Sequence, residues 1–172
     1  SRELTVRFCI DARPASRHFP GIGRYVVNLV EIIGSLLEKD ERLLVIQGRE
    51  HPLAWSDPGF GGGRIEFLET SVSPFSLRQQ IELPLLLKRS KAEIYHSTYY
   101  HMPYRPGLPT VLTLYDLIPQ VYPNYVSAQA RLSFRLVMLL AIRAASRIIT
   151  ISDTVRKDLL AHYRVDPARV VS

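Results

Sequence analysis

Apolar residues recur along this chain in two alternating periods. Runs of strand length fall at residues 4–10, 43–48, 64–69, 110–119 and 147–151, and 93–100 reads as a strand running into a loop. Between them the spacing lengthens to three and four. Ile22, Val26, Leu29, Val30, Ile33 and Leu37 make the stripe of an amphipathic helix. Residues 75–90 read as a second helix, with Pro84 producing a kink or a restart inside it. A long helix is expected over 127–145, and another, capped by Ser152 or Asp153, runs to His162. The stretch "HPLAWSDPGFGGG" is a loop rich in turn formers. The closing "VVS" begins a fresh apolar run, so the chain reads as a fragment of a longer protein.

Strands alternating with helices imply right-handed crossovers and a mostly parallel sheet covered on both faces, an α/β domain of three layers. In such sheets ligands bind outside the carboxyl ends of the strands. The residues that matter are then those just past each strand: 11–23, Gly48, 96–101, Asp116 and Ser152. No internal repeat or low-complexity segment interrupts the pattern.

Composition narrows the class. With 172 residues, 47% of them apolar, the chain is about one domain and buries a real core. Around residues 132–145 the chain comes nearest to a membrane span. Arg135 and Arg143 interrupt it and leave far fewer than the roughly 20 apolar residues a bilayer needs. No signal peptide opens the chain. The single cysteine, Cys9, excludes an internal disulfide and reads first as a small buried hydrophobe, with a reactive role as the alternative. These features suit a cytoplasmic protein. The net charge of +6 points to anionic company. Nucleic acid is the weakest of the anionic partners, because the basic residues show no aromatic interleaving or reading motif.

One stretch carries candidate chemistry. In "FCIDARPASRHFPGIGRYVVNLVEII" an apolar strand leads through a loop to two glycines and a helix. A dinucleotide fingerprint fails here, since Val26 stands where a third small residue is wanted and ten residues separate Ile10 from Gly21. A phosphate-binding loop of the Gly-Lys-Ser/Thr kind fails too, because Arg24 follows Gly23. Two readings stay open: a plain turn before a helix, or glycines that let the backbone approach an anion at the helix amides.

The order of "IDARP…PGIGRYVVNL", "EIYHSTYYHMP", "TVLTLYDLIPQVYPNY" and "ASRIITISDTVRKDLLAHYRVDPARVVS" resembles the amino-terminal half of the family-four retaining glycosyltransferases. These are two-domain enzymes of the GT-B fold that take sugars from nucleotide sugars. The resemblance runs from about Val6 to Ser172 and implies one Rossmann-like, acceptor-side domain. A carboxy-terminal nucleotide-sugar-binding domain would lie outside this chain. It implies a retaining hexosyltransferase of glycan biosynthesis in the full-length protein, acting on a glycan or lipid-linked acceptor, with this fragment inactive alone. It places Gly21, Ile22 and Gly23 against the donor diphosphate. It puts "LYDLIP" in the cleft where donor and acceptor meet, with Asp116 kept and Tyr115 where the family usually has histidine.

A tyrosine titrates near ~10 and is a poor base at neutral pH. His96, as a catalytic group, or His101, as a substrate-binding one, would occupy the missing histidine's space; plain surface is the alternative for each. Asp116 would orient sugar hydroxyls or face the developing cation, or else serve only as a turn residue. No metal or other cofactor is expected, because amides at a helix start stabilise the departing diphosphate. Arg131, Arg135, Arg143 and Arg147, at fourfold spacings on the long helix, would touch anionic lipid at the inner face of the membrane or form a solvated basic face. The competing function class is a non-catalytic α/β module that binds a polyanion or carbohydrate.

Overall fold

The computed structural model describes residues 6–15, 20–50 and 62–172. The loop 51–61 and the start of the first strand lie outside the described residues. Seven strands form one sheet: β1 (Val6–Asp11), β2 (Glu41–Gly48), β3 (Ile65–Thr70), β4 (Ile94–Ser97), β5 (Thr110–Leu114), β6 (Arg147–Thr150) and β7 (Val170–Val171). All neighbouring strands are parallel, in the order β3-β2-β1-β4-β5-β6-β7. Succession runs outward from β1 to β3, then returns to β1's other side at β4. The order therefore reverses between β1 and β4, where a parallel sheet opens a crevice at its carboxyl edge.

Helix α1 (Pro20–Leu36) covers one face of the sheet. Its Ile22, Val26 and Val30 pack on Ile10, Leu43 and Val45. On the other face, α2 (Gln79–Arg89), α4 (Ala128–Ala144) and α5 (Asp153–His162) bring Leu83, Leu87, Met138, Ala141 and Leu159 onto Leu44, Ile46, Leu112 and Ile148. The result is the expected Rossmann-like α/β domain of three layers.

Local chemistry sets the element boundaries. Residues 75–78 are turns rather than helix, because the Ser73 and Ser76 hydroxyls accept from the amides of Phe75 and Arg78 and offer the backbone an alternative to helix. Helix α2 passes through Pro84 without a restart. Strand β5 ends at Leu114 instead of reaching Pro119; Asp116 Oδ1 accepts from the Ile118 amide at 3.1 Å and turns the chain into the short helix α3 (Ile118–Val121). Ser152, not Asp153, caps α5, accepting from the Val155 amide at 3.3 Å. Arg147 opens β6, so only Arg131, Arg135 and Arg143 of the basic series lie on α4.

Candidate active site

The crevice between β1 and β4 is locked by a buried ion pair. Asp11 ends β1 with its carboxylate inside the protein, and Arg13 returns to it two residues later. Asp11 Oδ1 accepts from Arg13 Nε at 2.8 Å, and Oδ2 accepts from Arg13 Nη2 at 2.6 Å and Tyr95 Oη at 2.7 Å. Arg13 also donates to the Val72 carbonyl at 2.9 Å and to Gln79 Oε1 at 3.3 Å. The segment between β3 and α2 is thereby tied to the end of β1. Burial pushes the Tyr95 phenol well up, and the Asp11 charge adds to it. Burial opposes the Arg13 charge, but Asp11 outweighs it and holds the guanidinium protonated. The same burial, with Asp11 close by, raises the Cys9 thiol far above its ordinary range, so Cys9 is an inert core residue. Thr98, just past β4, closes the crevice by donating to the Asp11 carbonyl at 2.6 Å. Beside this lock lies a cleft of about 210 Å³, lined among others by Arg13, Gly48, Arg49 and Ser73.

The glycines sit at the same edge, but not in a loop. Helix α1 already begins at Pro20, which puts Gly21, Ile22 and Gly23 in its first turn. Proline suits that position, since a helix's first amides have no partner within it. No acidic residue stands in this turn to neutralise the positive end of the helix. Ile22 is buried in the core, so only its backbone faces the edge. Neither glycine has a positive φ, and a Cβ built on either one meets nothing within 4 Å. Nothing inside the described protein asks for glycine at these two positions.

Opposite α1, aromatic rings follow β4. The His101 ring stacks on Tyr99 at 5.7 Å, and Phe75 meets Tyr99 and His101 edge-on at 6.3 and 5.2 Å. Tyr99 Oη donates to Tyr100 Oη at 3.0 Å. Burial lowers the His101 imidazole and raises both tyrosine phenols, and the Asp116 charge raises the phenols further. Asp116 therefore lies close to this group, exposed, while its Oδ1 serves the turn into α3. A narrow crevice lined by Pro14, Ile22, Phe75 and Tyr99 joins the aromatic group to the first turn of α1.

His96 does not belong to this group. It lies within β4 rather than past its end, 8% exposed, and its Nε2 pairs with Thr113 Oγ1 at 2.8 Å. Tyr25 Oη of α1 meets the same Thr113 hydroxyl at 3.1 Å. Desolvation lowers the His96 pKa to about 4, so the ring is neutral and joins β4 to β5 through the Thr113 hydroxyl that Tyr25 of α1 also meets. Tyr115 packs edge-on against Tyr25 at 5.6 Å, and its hydroxyl is buried with no hydrogen-bond partner among the described residues. Burial, then the neighbouring Tyr25, pushes its phenol up, which removes it as a base.

Of the residues singled out in the sequence, Gly21, Gly23, His101 and Asp116 share one edge. His96 and the side chain of Ile22 point into the packing instead. Sequence reasoning placed Asp11, Arg13, Tyr99 and Tyr100 within the spans 11–23 and 96–101 past their strands but gave none of them an individual role. It read Phe75 only as part of a helix. For the ion pair the signal was present: an acid and an arginine two residues apart at a strand end, in "IDARP". Among the described residues no three His, Cys, Asp or Glu side chains gather as a metal site. The edge offers helix amides for an anion and a polar, aromatic rim for a hydroxyl-rich ligand.

Comparison with known proteins bears on that arrangement. The family model described as Glycosyltransferase Family 4 matches residues 21–172. Among solved structures, a glycosyltransferase from Rickettsia africae ESF-5 superposes with a TM-score of 0.55 at 13% identity, covering 97% of this chain and 42% of that one. The UDP-GlcNAc 2-epimerase from Methanocaldococcus jannaschii gives 0.53 at 10% identity, covering 97% and 44%. At such identities the likeness is one of fold. The chain spans well under half the length of either protein, as one Rossmann-like half of a GT-B architecture would. No curated protein matches the chain by sequence.

Proposed function

The chain belongs to Glycosyltransferase Family 4, and from that premise we propose that the full-length protein moves a hexose from a nucleotide sugar to a glycan or lipid-linked acceptor, with retention. This domain supplies the acceptor side and the helix end that faces the donor diphosphate. In the reaction the bond from the anomeric carbon to the diphosphate oxygen breaks. Negative charge collects on the departing diphosphate and positive charge on the sugar ring. Backbone amides of the first α1 turn, at the positive end of a 17-residue helix, stabilise the first. They do so without a metal. Asp116, exposed beside Tyr99 and Tyr100, orients sugar hydroxyls or faces the developing cation. His101 is the histidine at the edge, kept neutral and able to hydrogen-bond a substrate.

The observation that carries this reading is the pair of glycines. Each costs helix stability, up to about 1 kcal/mol relative to alanine, and neither is required by φ or by crowding among the described residues. A ligand that must approach the backbone closely accounts for them. The test is full-length protein incubated with a panel of nucleotide sugars and acceptors, beside Gly23→Val. The wild type should transfer sugar, and the variant should turn over roughly 10²-fold more slowly, the usual cost of losing one preorganised donor. Equal turnover by the two would remove the donor diphosphate from the first turn of α1. Absence of transfer with every pair would favour a binding module.

A further inference from the structure

The cleft beside the Asp11–Arg13 pair has no part in the transfer reading. It lies past the ends of β2 and β3, whereas the aromatic rim follows β4 on the other side of β1. Its volume of about 210 Å³ is below the roughly 300 Å³ at which drug-sized sites begin, and suits a single ring. Hydroxyls line it. Thr70 ends β3, and its Oγ1 accepts from the Val72 amide at 3.2 Å; Ser73 Oγ accepts from the Phe75 amide at 3.2 Å. The backbone holds each oxygen, which leaves each hydroxyl hydrogen to be donated. Ser71, between them, is exposed. Charge in the cleft is balanced. Asp11 closes the Arg13 guanidinium, and Arg49 lies 3.9 Å from Glu69 with Glu50 next in the chain. Arg49 and Glu69 are both more than half exposed, so their pairing is weak and leaves Arg49 able to turn to a ligand. With carboxylates this close, no positive excess selects an anion. Hydroxyl donors beside a guanidinium and a carboxylate match a ligand whose own groups both donate and accept, as those of an uncharged sugar do.

Two short segments wall both the cleft and the rim. Arg13 and Ala15 line the cleft, while Pro14 between them lines the crevice with Phe75 and Tyr99. Ser73 and Pro74 line the cleft, and Phe75, next in the chain, belongs to the rim. We propose that this cleft is a second sugar subsite, holding an uncharged residue of the acceptor one place removed from the sugar that is attacking. The inference rests on the transfer reading and names the acceptor that it leaves open: a glycan chain of at least two neutral sugars. The donor does not reach the cleft. A diphosphate on the first turn of α1 puts its sugar beside Asp116, past β5 rather than past β3.

The test uses full-length protein on a printed array of neutral, sulfated and carboxylated saccharides, from single sugars to short chains. Beside it run Arg49→Met/Glu50→Gln and Ser71→Trp, the second filling the cleft from an exposed position. Wild type should bind neutral chains about tenfold more strongly than single sugars, and charged chains no better than neutral ones. Both variants should bind the chains only as weakly as single sugars. Their melting temperatures should not change, because the altered side chains are exposed. No binding to any saccharide, equal binding of single sugars and chains, a preference for charged chains, or variants that bind like wild type would overturn the proposal. So would a loss confined to one variant that also melts lower, since the other then keeps the chains. The expected array pattern without transfer to any acceptor would keep the cleft as a sugar site and overturn the transfer reading instead.

Discussion

Two residues show how far a side chain's surroundings decide its work. Gly23 has space around it and an ordinary helical φ. Gly23→Ala should therefore stabilise the protein, by up to about 1 kcal/mol, or roughly 2–4 °C in melting temperature. Turnover should fall in the same variant, a combination that a purely structural glycine would not give. Calorimetry beside a transfer assay reads both. His96 gives a prediction in pH. Above about 6.5 the ring is neutral in the folded and the unfolded chain alike. Between there and about 4, its folded value, only the unfolded chain takes the proton. Stability is then lost as pH falls, by about 1.4 kcal/mol per unit and about 3 kcal/mol in all. His96→Asn keeps a partner for Thr113 and removes the titration, so its denaturant midpoint should fall less steeply over that window. Parallel wild-type and variant slopes would show that His96 takes no part in the acid sensitivity.

At the level of elements, the Asp11–Arg13 pair does more than close a charge. Arg13 holds the Val72 carbonyl and Gln79, and so fixes the segment that carries Phe75 to the aromatic rim. Arg13→Met should cost about 3–5 kcal/mol, because it strands a buried carboxylate. Asp11→Asn with Arg13→Met should cost less than the two singles together, by about 1–3 kcal/mol in a double-mutant cycle. Strictly additive losses would mean that the pair is not coupled. The elements themselves were mostly legible, since a sheet with helices on both faces leaves clear apolar periods. Boundaries failed where a side chain outbid the backbone, as Ser73, Ser76 and Asp116 do. The candidate site was legible in part. Glycines before an apolar stripe and an aspartate past a strand can be seen in one dimension. The burial of His96 cannot, because it depends on Thr113 of β5 and Tyr25 of α1 arriving beside it. The Phe75–Tyr99–His101 group likewise joins residues from two distant loops.

At the scale of the whole molecule, the sheet order sets what this domain does alone. Past the reversal between β1 and β4, the α1 terminus, the aromatic rim and Asp116 lie together along one side of the carboxyl edge. A sugar nucleotide held there meets a few helix amides and one polar rim, with water on its other side. Contacts on that scale amount to about 4 kcal/mol, a dissociation constant of roughly 1 mM. Transfer needs both substrates fixed within near-attack distance and water excluded from between them. The solved chains that share this fold are more than twice as long as the part this chain covers. The purified 172-residue chain should therefore turn over no nucleotide sugar with any acceptor, and should bind one only at millimolar concentration. Product analysis and a nuclear magnetic resonance titration measure the two quantities. The titration shifts should fall on the amides of Gly21, Ile22 and Gly23. Clear turnover by this chain would make it a complete enzyme of another kind, and shifts confined to other edges would move the diphosphate away from α1.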